Sequence, residues 1–510
     1  MTNESVSLVG TAVALILPWL FGITFVSCLL TRSPRWNCWM LAGHGYLAGM
    51  ILSTLVLRLW DCSGLTLHFW GLAASIFVST FAGLALLRTQ PGVTAEKVQS
   101  HAMETWQRLL LATLLLAIAF RYYGIMREIL LRPLYPWDAW MNWAPKAITW
   151  HELGYLVDYI SPDMWLRQFG DSLTYTTGAT NAWKYPVTIP LIQLWGMLGA
   201  GSADQNFSNL PWLFAPIAFG LALYGHLKLY GASTVLAALA CYVFLSIPNL
   251  NVHTALAGYA DIWLAVYFGA ATMALHEWQR SRHWSWALLS LFFAFSCTQI
   301  KLPGLVLGAI LVTVFLVTLI NLPLKAKLII AAMLSIFVLY SAMLGVSFDL
   351  PWLGPVKISS GEVVLPYLGI FEIVYHPVHG ALVDSIFYMR TWNMLWYVFL
   401  FVLIAKLFFR EFLLPPSIEL QSILLLLLFL LFTFYFTHVS DFVLDRTTVN
   451  RALLYATPAI VFYLFNSIRS WASSASKMRH LSLKEQSGIQ SRTPKKSPLF
   501  SHASKTEISC

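Results

Sequence analysis

The run LVGTAVALILPWLFGITFVSCLLT, residues 8–31, holds no charged side chain. A helix of about 20 mostly apolar residues crosses a bilayer core of about 30 Å while satisfying its own backbone groups, so this run predicts a transmembrane helix. Working outward with the same rule gives about 13 spans, near 8–31, 37–57, 66–88, 107–127, 208–228, 232–249, 258–277, 284–300, 303–321, 327–346, 392–409, 418–437 and 452–469. The expected fold class is an all-α membrane protein. No Lys or Arg precedes the first run and no A-x-A site follows it, so the first helix is expected to be retained rather than cleaved as a signal peptide.

The composition agrees. Of the 510 residues, 58% are hydrophobic and only 11% charged, against about 25% charged in a soluble domain. That excludes a soluble globular enzyme, a disordered chain and a secreted disulfide scaffold. The six cysteines fall singly in or beside apolar runs, without metal-ligand spacing. Lys and Arg outnumber Asp and Glu by 32 to 23. Because the excess lies in alternate short loops, it reads as the cytoplasmic bias of a multispanning protein, and nucleic acid is not an expected partner.

Arg32 and Arg35, Arg88 and Lys97, Lys228, Arg280 and Arg282, Lys325 and Lys327, then Lys406 and Arg410 mark the cytoplasmic loops, together with the segment after Arg469. The segment 130–207 and the loop 348–390 then lie outside, the first carrying interfacial helices. Three parts are expected: an N-terminal three-helix membrane module (1–106), a catalytic membrane domain (107–469) and a disordered basic tail (470–510) able to brush anionic lipid. No inverted repeat is visible, and two unequal loops on one face suit an enzyme at one membrane surface better than an alternating-access carrier.

The segment YPWDAWMNWAPKAITW, residues 135–150, lies just beyond the fourth span. Pro145 opens and Gly154 closes a short expected helix, which leaves Asp138 in the preceding turn among Trp137, Trp140 and Trp143. Interfacial tryptophans are common, but a carboxylate partly desolvated among indoles gains basicity, as a general base requires. Further on, the Tyr185-Pro-x-x-x-Pro190 segment leads into a short apolar run, 187–201, read as an interfacial or re-entrant helix, with an ordinary span as the alternative.

Three more segments carry charge toward the same face. Asp261 opens the seventh span, where either the helix dipole or a functional role accounts for it. Lys301, at the Lys301-Leu-Pro-Gly304 tip, either snorkels to headgroups or meets a phosphate. Arg446 and Arg451, before the last span, either pair with Asp441 or Asp445 or grip phosphate oxygens bidentately. Cations at the boundary that hold a lipid phosphate, beside a carboxylate that deprotonates an acceptor hydroxyl, would form a transferase site.

Trp137-Asp-x-Trp140 with Lys146, the Tyr185 segment, Gly258-Tyr-Ala-Asp261, Lys301-Leu-Pro-Gly304 and Arg451-x-x-x-Tyr-x-x-Pro458 together resemble the GT-C superfamily of integral-membrane glycosyltransferases, over roughly residues 107–469. Protein O-mannosyltransferases and lipid A aminoarabinose transferases belong to it. The resemblance implies transfer of a sugar, with inversion, from a polyprenyl-phosphate donor to an exoplasmic acceptor. Asp138 would be the essential acid and Asp261 a second catalytic acid. Lys301, Arg446 and Arg451 would bind the donor phosphate, and Trp137, Trp140, Lys146 and Tyr185 the substrates. Two features depart from the family: Ala139 and Trp140 stand where many members carry a second acid, and three added spans precede the span that leads into the first large loop. No metal ligand is assigned, and dependence on a divalent metal stays open.

A polysaccharide polymerase or ligase using a lipid-diphosphate donor, and a lipid or solute flippase, are the alternatives. The C-terminus shows no retrieval signal, which favours a bacterial inner membrane with the site facing the periplasm.

Overall fold

A computed structural model describes residues 6–33, 35–89, 103–132, 134, 136–167, 173–179, 182–203, 206–320, 354–366, 369–409 and 417–490. It also covers 325–326, 329, 332–333, 336, 340–341 and 343–350. The span read at 327–346 therefore falls largely outside the described residues, as do Lys97, Lys327, Arg410 and the tail beyond Gln490.

Thirteen helices come first: α1 (Leu8–Leu30), α2 (Cys38–Cys62), α3 (Phe69–Thr89), α4 (Thr105–Leu131), α5 (Ala144–Leu153), α6 (Pro162–Arg167), α7 (Thr188–Ala200), α8 (Leu210–Leu229), α9 (Thr234–Leu245), α10 (Pro248–Ala255), α11 (Asp261–Ser281), α12 (Trp284–Thr298) and α13 (Pro303–Leu319). After the strands come α14 (His379–Val383), α15 (Leu395–Phe408), α16 (Ile418–Phe436), α17 (Ser440–Leu444), α18 (Thr447–Leu454) and α19 (Thr457–Gln490). Among the described residues, six helices are long and apolar enough to cross a membrane, or up to eight if two bent pairs each count as one span. The bends are 60° between α9 and α10 and 45° between α18 and α19. Pro248 and Pro458 stand just after the breaks; proline cannot donate to the preceding turn and resists continuation of a helix through it.

The described chain is predominantly helical, as expected, and carries one small sheet. Strands β1 (Val346–Leu350), β2 (Gly354–Ile358), β3 (Glu362–Leu365) and β4 (Gly369–Glu372) form an antiparallel meander in the order β1-β2-β3-β4, in register at Val346 with Ile358, Lys357 with Val364 and Glu362 with Glu372. Short β-branched runs broken by glycines carry no helical period, so the loop read at 348–390 folds as hairpins. Past the sheet, Val374 N and His376 N donate to Phe436 O and Tyr435 O, at 3.1 and 2.8 Å, which ties the segment to the end of α16.

Residues 1–465 form one compact unit, and no boundary falls near 106. The expected N-terminal module does not stand apart because α1 and α2 are packed into the rest of the chain. Ser7 N donates to Ala200 O at 2.8 Å and Trp195 Nε1 to Ala14 O at 2.8 Å, joining α1 to α7. The helices α1 and α2 approach so closely that a Cβ at Gly22 would lie 1.8 Å from Gly45 O, the small-residue contact that lets membrane helices pack on their backbones. Residues 466–510 form a second unit. Its described part is helical as far as Gln490, and the rest of the tail read at 470–510 lies outside the described residues.

At the centre runs α11, buried on every side from Asp261 to Trp278. Its last turns hold two buried polar contacts to other segments: the Glu277 carboxylate pairs with Arg35 of the α1–α2 connection at 2.7 Å, and His276 Nδ1 lies 3.1 Å from Glu419 of α16. Its middle is aromatic. Trp263 and Tyr267 are sealed, and the Tyr267 hydroxyl donates to Leu47 O at 3.0 Å. Its first residue, Asp261, faces the site described next.

Candidate functional site

Each charged side chain of the site is set by a local backbone device. Past Pro136 the chain makes a helical turn, with Ala139 N donating to Pro136 O at 2.9 Å, and then a π-helical turn, Ala139–Trp143, before α5. The expected short helix is present: Pro145 lies in the first turn of α5 and Gly154 closes it in the left-handed conformation. Asp138 therefore lies on the turn leading into α5.

Asp261 is the first residue of α11 and follows Gly258, whose φ of +96° only glycine adopts readily. A Cβ at Gly258 would lie 2.7 Å from the Ala139 Cβ, so the small residues at both positions let the Asp138 turn close onto the start of α11. Lys301 occupies the tight connection before α13, where Gly304 N donates to Lys301 O at 2.8 Å. Arg451 projects from α18, and Tyr455 follows one turn later on the same face.

Four distant segments thus meet. Asp261 Oδ2 accepts from Arg451 Nε at 3.0 Å and from its Nη2 at 2.7 Å, while Oδ1 accepts from Lys301 Nζ at 3.1 Å and the Tyr455 hydroxyl at 2.6 Å. Arg451 Nη2 also donates to Asp138 Oδ2, a residue 313 positions away in sequence. Lys301 Nζ lies 3.9 Å from the same Asp138 oxygen. The Arg451 guanidinium stacks 4.7 Å over the Tyr259 ring, and Trp212 Nε1 holds Tyr259 O at 2.6 Å.

Two carboxylates face two cations, so the cluster is neutral within itself. Asp138, Lys301 and Arg451 keep 16%, 15% and 21% of their side-chain surface, whereas Asp261 keeps none. Burial lowers the Lys301 pKa and Arg451 pushes it the same way, against the pull of Asp261 and Asp138.

Trp137 and Trp140 flank Asp138 on the outside, 60% and 44% exposed, their rings 5.5 Å apart and nearly perpendicular. Tyr185 stacks on Trp143 with centroids 5.1 Å apart. Its hydroxyl pKa is raised, first by burial and then by the charge of Asp138, which places Tyr185 at the margin of the cluster.

Three expected site residues sit apart from the open side of the cluster. Asp261 is sealed, with both oxygens held by protein donors. Lys146 is 1% exposed; its Nζ donates to Ala182 O at 2.9 Å and lies 5.5 Å from the Tyr159 ring, so it braces α5. Burial pushes its pKa down to about 8. Arg446 pairs with Asp384 at 2.6 Å on the surface, outside the Arg451 cluster. Arg446 stands before α18 with its backbone in the left-handed region at φ +62°, off the helical turns that carry Arg451.

Tyr455 and Tyr259 are the site residues that the sequence did not single out as ligands, although both lie inside the quoted motifs. The spacing of Tyr455 four residues after Arg451 is the signal that would have found it. Among the described residues no group of three or more His, Cys, Asp or Glu could hold a metal ion. No protein-family model, curated protein or solved structure matches the chain.

Proposed function

We propose that the chain is a GT-C-like membrane glycosyltransferase that moves a sugar, with inversion, from a polyprenyl-phosphate donor to an acceptor hydroxyl. The observation that carries this reading is the convergence of Asp138, Lys301 and Arg451, all partly exposed, on the sealed anchor Asp261. Both ion pairs of Asp138 use Oδ2. In this reading Oδ1 takes the proton of the acceptor hydroxyl as its oxygen bonds to the anomeric carbon. The bond from that carbon to the phosphate oxygen breaks, and the electron pair leaves with the lipid phosphate. Trp137 and Trp140 offer apolar ring surface beside the reacting sugar. In this reading the membrane is crossed about 13 times and this face is the periplasmic face of a bacterial inner membrane; the alternate positive loops support its lying outside.

The two bent helix pairs favour a second reading, a lipid or solute carrier, since interrupted helices line many transport sites. Against it, no Asp, Glu, Lys, Arg or His lies on α11 between Asp261 and His276. Purified protein in liposomes, given a panel of polyprenyl-phosphate sugars and envelope acceptors, separates the two. Transfer that falls by about 10²- to 10⁴-fold in Asp138→Asn at unchanged folding supports the base assignment. Transfer that survives the substitution removes Asp138, and solute or lipid movement without transfer replaces the enzyme reading.

A further inference from the structure

Two carboxylates that converge beside a phosphate are a common setting for a divalent cation, and the sequence alone leaves such a dependence open. Mg²⁺ takes oxygen ligands in octahedral geometry at about 2.0–2.1 Å, from one or two carboxylates, water and substrate phosphate. The contacts of Asp138 and Asp261 do not fit that demand. Both oxygens of Asp261 are engaged, Oδ2 by Arg451 Nε and Nη2 and Oδ1 by Lys301 Nζ and the Tyr455 hydroxyl, and its side chain keeps no exposed surface. Asp138 Oδ2 faces Arg451 and Lys301. Of the pair's four oxygens, only Asp138 Oδ1 lies outside these contacts among the described residues. An ion drawn to it would stand beside an ammonium and a guanidinium, whose charges repel it.

The same two cations do what a bridging ion would do. Lys301 Nζ lies 3.1 Å from Asp261 Oδ1 and 3.9 Å from Asp138 Oδ2. Arg451 Nη2 lies 2.7 Å from Asp261 Oδ2 and also contacts Asp138 Oδ2. Each cation is thus shared by both acids. Together they carry the charge of one divalent ion, fixed to the chain at the connection before α13 and on α18. A divalent ion on two carboxylates would leave the site just as neutral. Both cations also keep an open side. The Lys301 and Arg451 side chains are 15% and 21% exposed, and the contacts of Arg451 use Nε and Nη2, not Nη1. A guanidinium fork and an ammonium both bind phosphate oxygens, and in clamps on phosphate such groups act as Mg²⁺ does.

We propose that Lys301 and Arg451 stand in the place of a divalent cation, so that the site receives a phosphate-bearing substrate with no metal ion between phosphate and protein. The proposal rests on the transferase reading for the identity of that substrate. The exclusion of the ion rests on the contacts of the two acids.

The test uses the full chain in phosphatidylcholine nanodiscs, with Mn²⁺ binding read by electron paramagnetic resonance, then unfolding and transfer with and without EDTA. Wild type and Asp138→Asn should bind Mn²⁺ equally, and EDTA should change neither the unfolding of wild type nor its transfer by more than twofold. Lys301→Ser takes the ammonium from between the acids and should create a Mn²⁺ site at least tenfold tighter than any in wild type. Adding Asp138→Asn should remove that site again, and Lys301→Arg, which keeps the charge, should not create it. Mn²⁺ bound by wild type and lost in Asp138→Asn overturns the proposal. So does transfer that falls at least tenfold in EDTA and returns with Mg²⁺ or Mn²⁺, and so does a folded Lys301→Ser without a Mn²⁺ site. The comparison of wild type with Asp138→Asn decides the matter even where Lys301→Ser does not fold. No transfer with any donor, together with no Asp138-dependent Mn²⁺ binding, rejects the proposed reaction and leaves this inference standing. Transfer that depends on Asp138 alongside Mn²⁺ held by Asp138 does the reverse.

Discussion

The two ends of α11 solve one electrostatic problem in opposite ways. At the far end the carboxylates of Glu277 and Glu419 are 0% and 1% exposed, with Arg35 at 2.7 Å from the first and His276 at 3.1 Å from the second. At Asp261 one sealed carboxylate gathers two cations that reach past it to a second, partly exposed carboxylate. Sealed carboxylates that reach a neighbouring segment tie helices to each other. A shared cluster with one open side holds charged groups in place and still lets water and substrate reach them. Burial at one end of the cluster is thus what permits exposure at the other.

That contrast predicts a graded series. Asp261→Asn removes the counter-charge of both cations at once; breaking a buried pair in this way costs about 3–5 kcal/mol, read as earlier unfolding in detergent, and transfer should be lost with it. A rise instead of a loss in stability would mean that Asp138 alone satisfies Arg451 and Lys301.

Lys146 gives the next effect, as a buried cation with no cluster around it. With its pKa pushed down to about 8 from 10.5, it is protonated below pH 8 in both folded and unfolded chains, and the cost of burying the charge is fully present. Between pH 8 and 10.5 the folded chain releases the proton while the unfolded chain keeps it, so stability rises with pH, by up to about 1.4 kcal/mol per unit. Lys146→Met should abolish that rise, and a variant whose pH profile matches wild type would show that Lys146 does not carry it.

Glu277→Gln should cost less than Asp261→Asn, about 1–3 kcal/mol, because Arg35 keeps 28% of its side-chain surface and can turn to water. Transfer should not change; a loss of transfer at retained folding would mean that the far end of α11 takes part in the reaction. The smallest change belongs to Arg446→Gln, which opens an exposed pair with Asp384 worth no more than about 1 kcal/mol. Its transfer rate should equal that of wild type, and a loss there would return Arg446 to the donor site.

The sequence made α5 legible because proline and glycine punctuate it, and α7 because its apolar run is too short for a comfortable span. Asp261 was placed at the start of α11 for the same kind of reason: the Gly258-Tyr-Ala turn precedes an unbroken apolar run. What could not be read depends on contacts between distant residues. The direction of Arg446 is set by Asp384, the burial of Lys146 by Ala182 O, and the rank of the two acids by Arg451, Lys301 and Tyr455 closing over Asp261. The sheet at 346–372 was hidden because strands of four or five residues are too short to show a period.

The missing side chain at Gly258, against the methyl of Ala139, acts as a gauge. A side chain at Gly258 would press on that methyl and would also have to hold a φ of +96°, so the spacing of the two acids depends on a residue that has none. Ala139 is the adjustable half: enlarging it works as a wedge from behind, while the charged groups keep their identities.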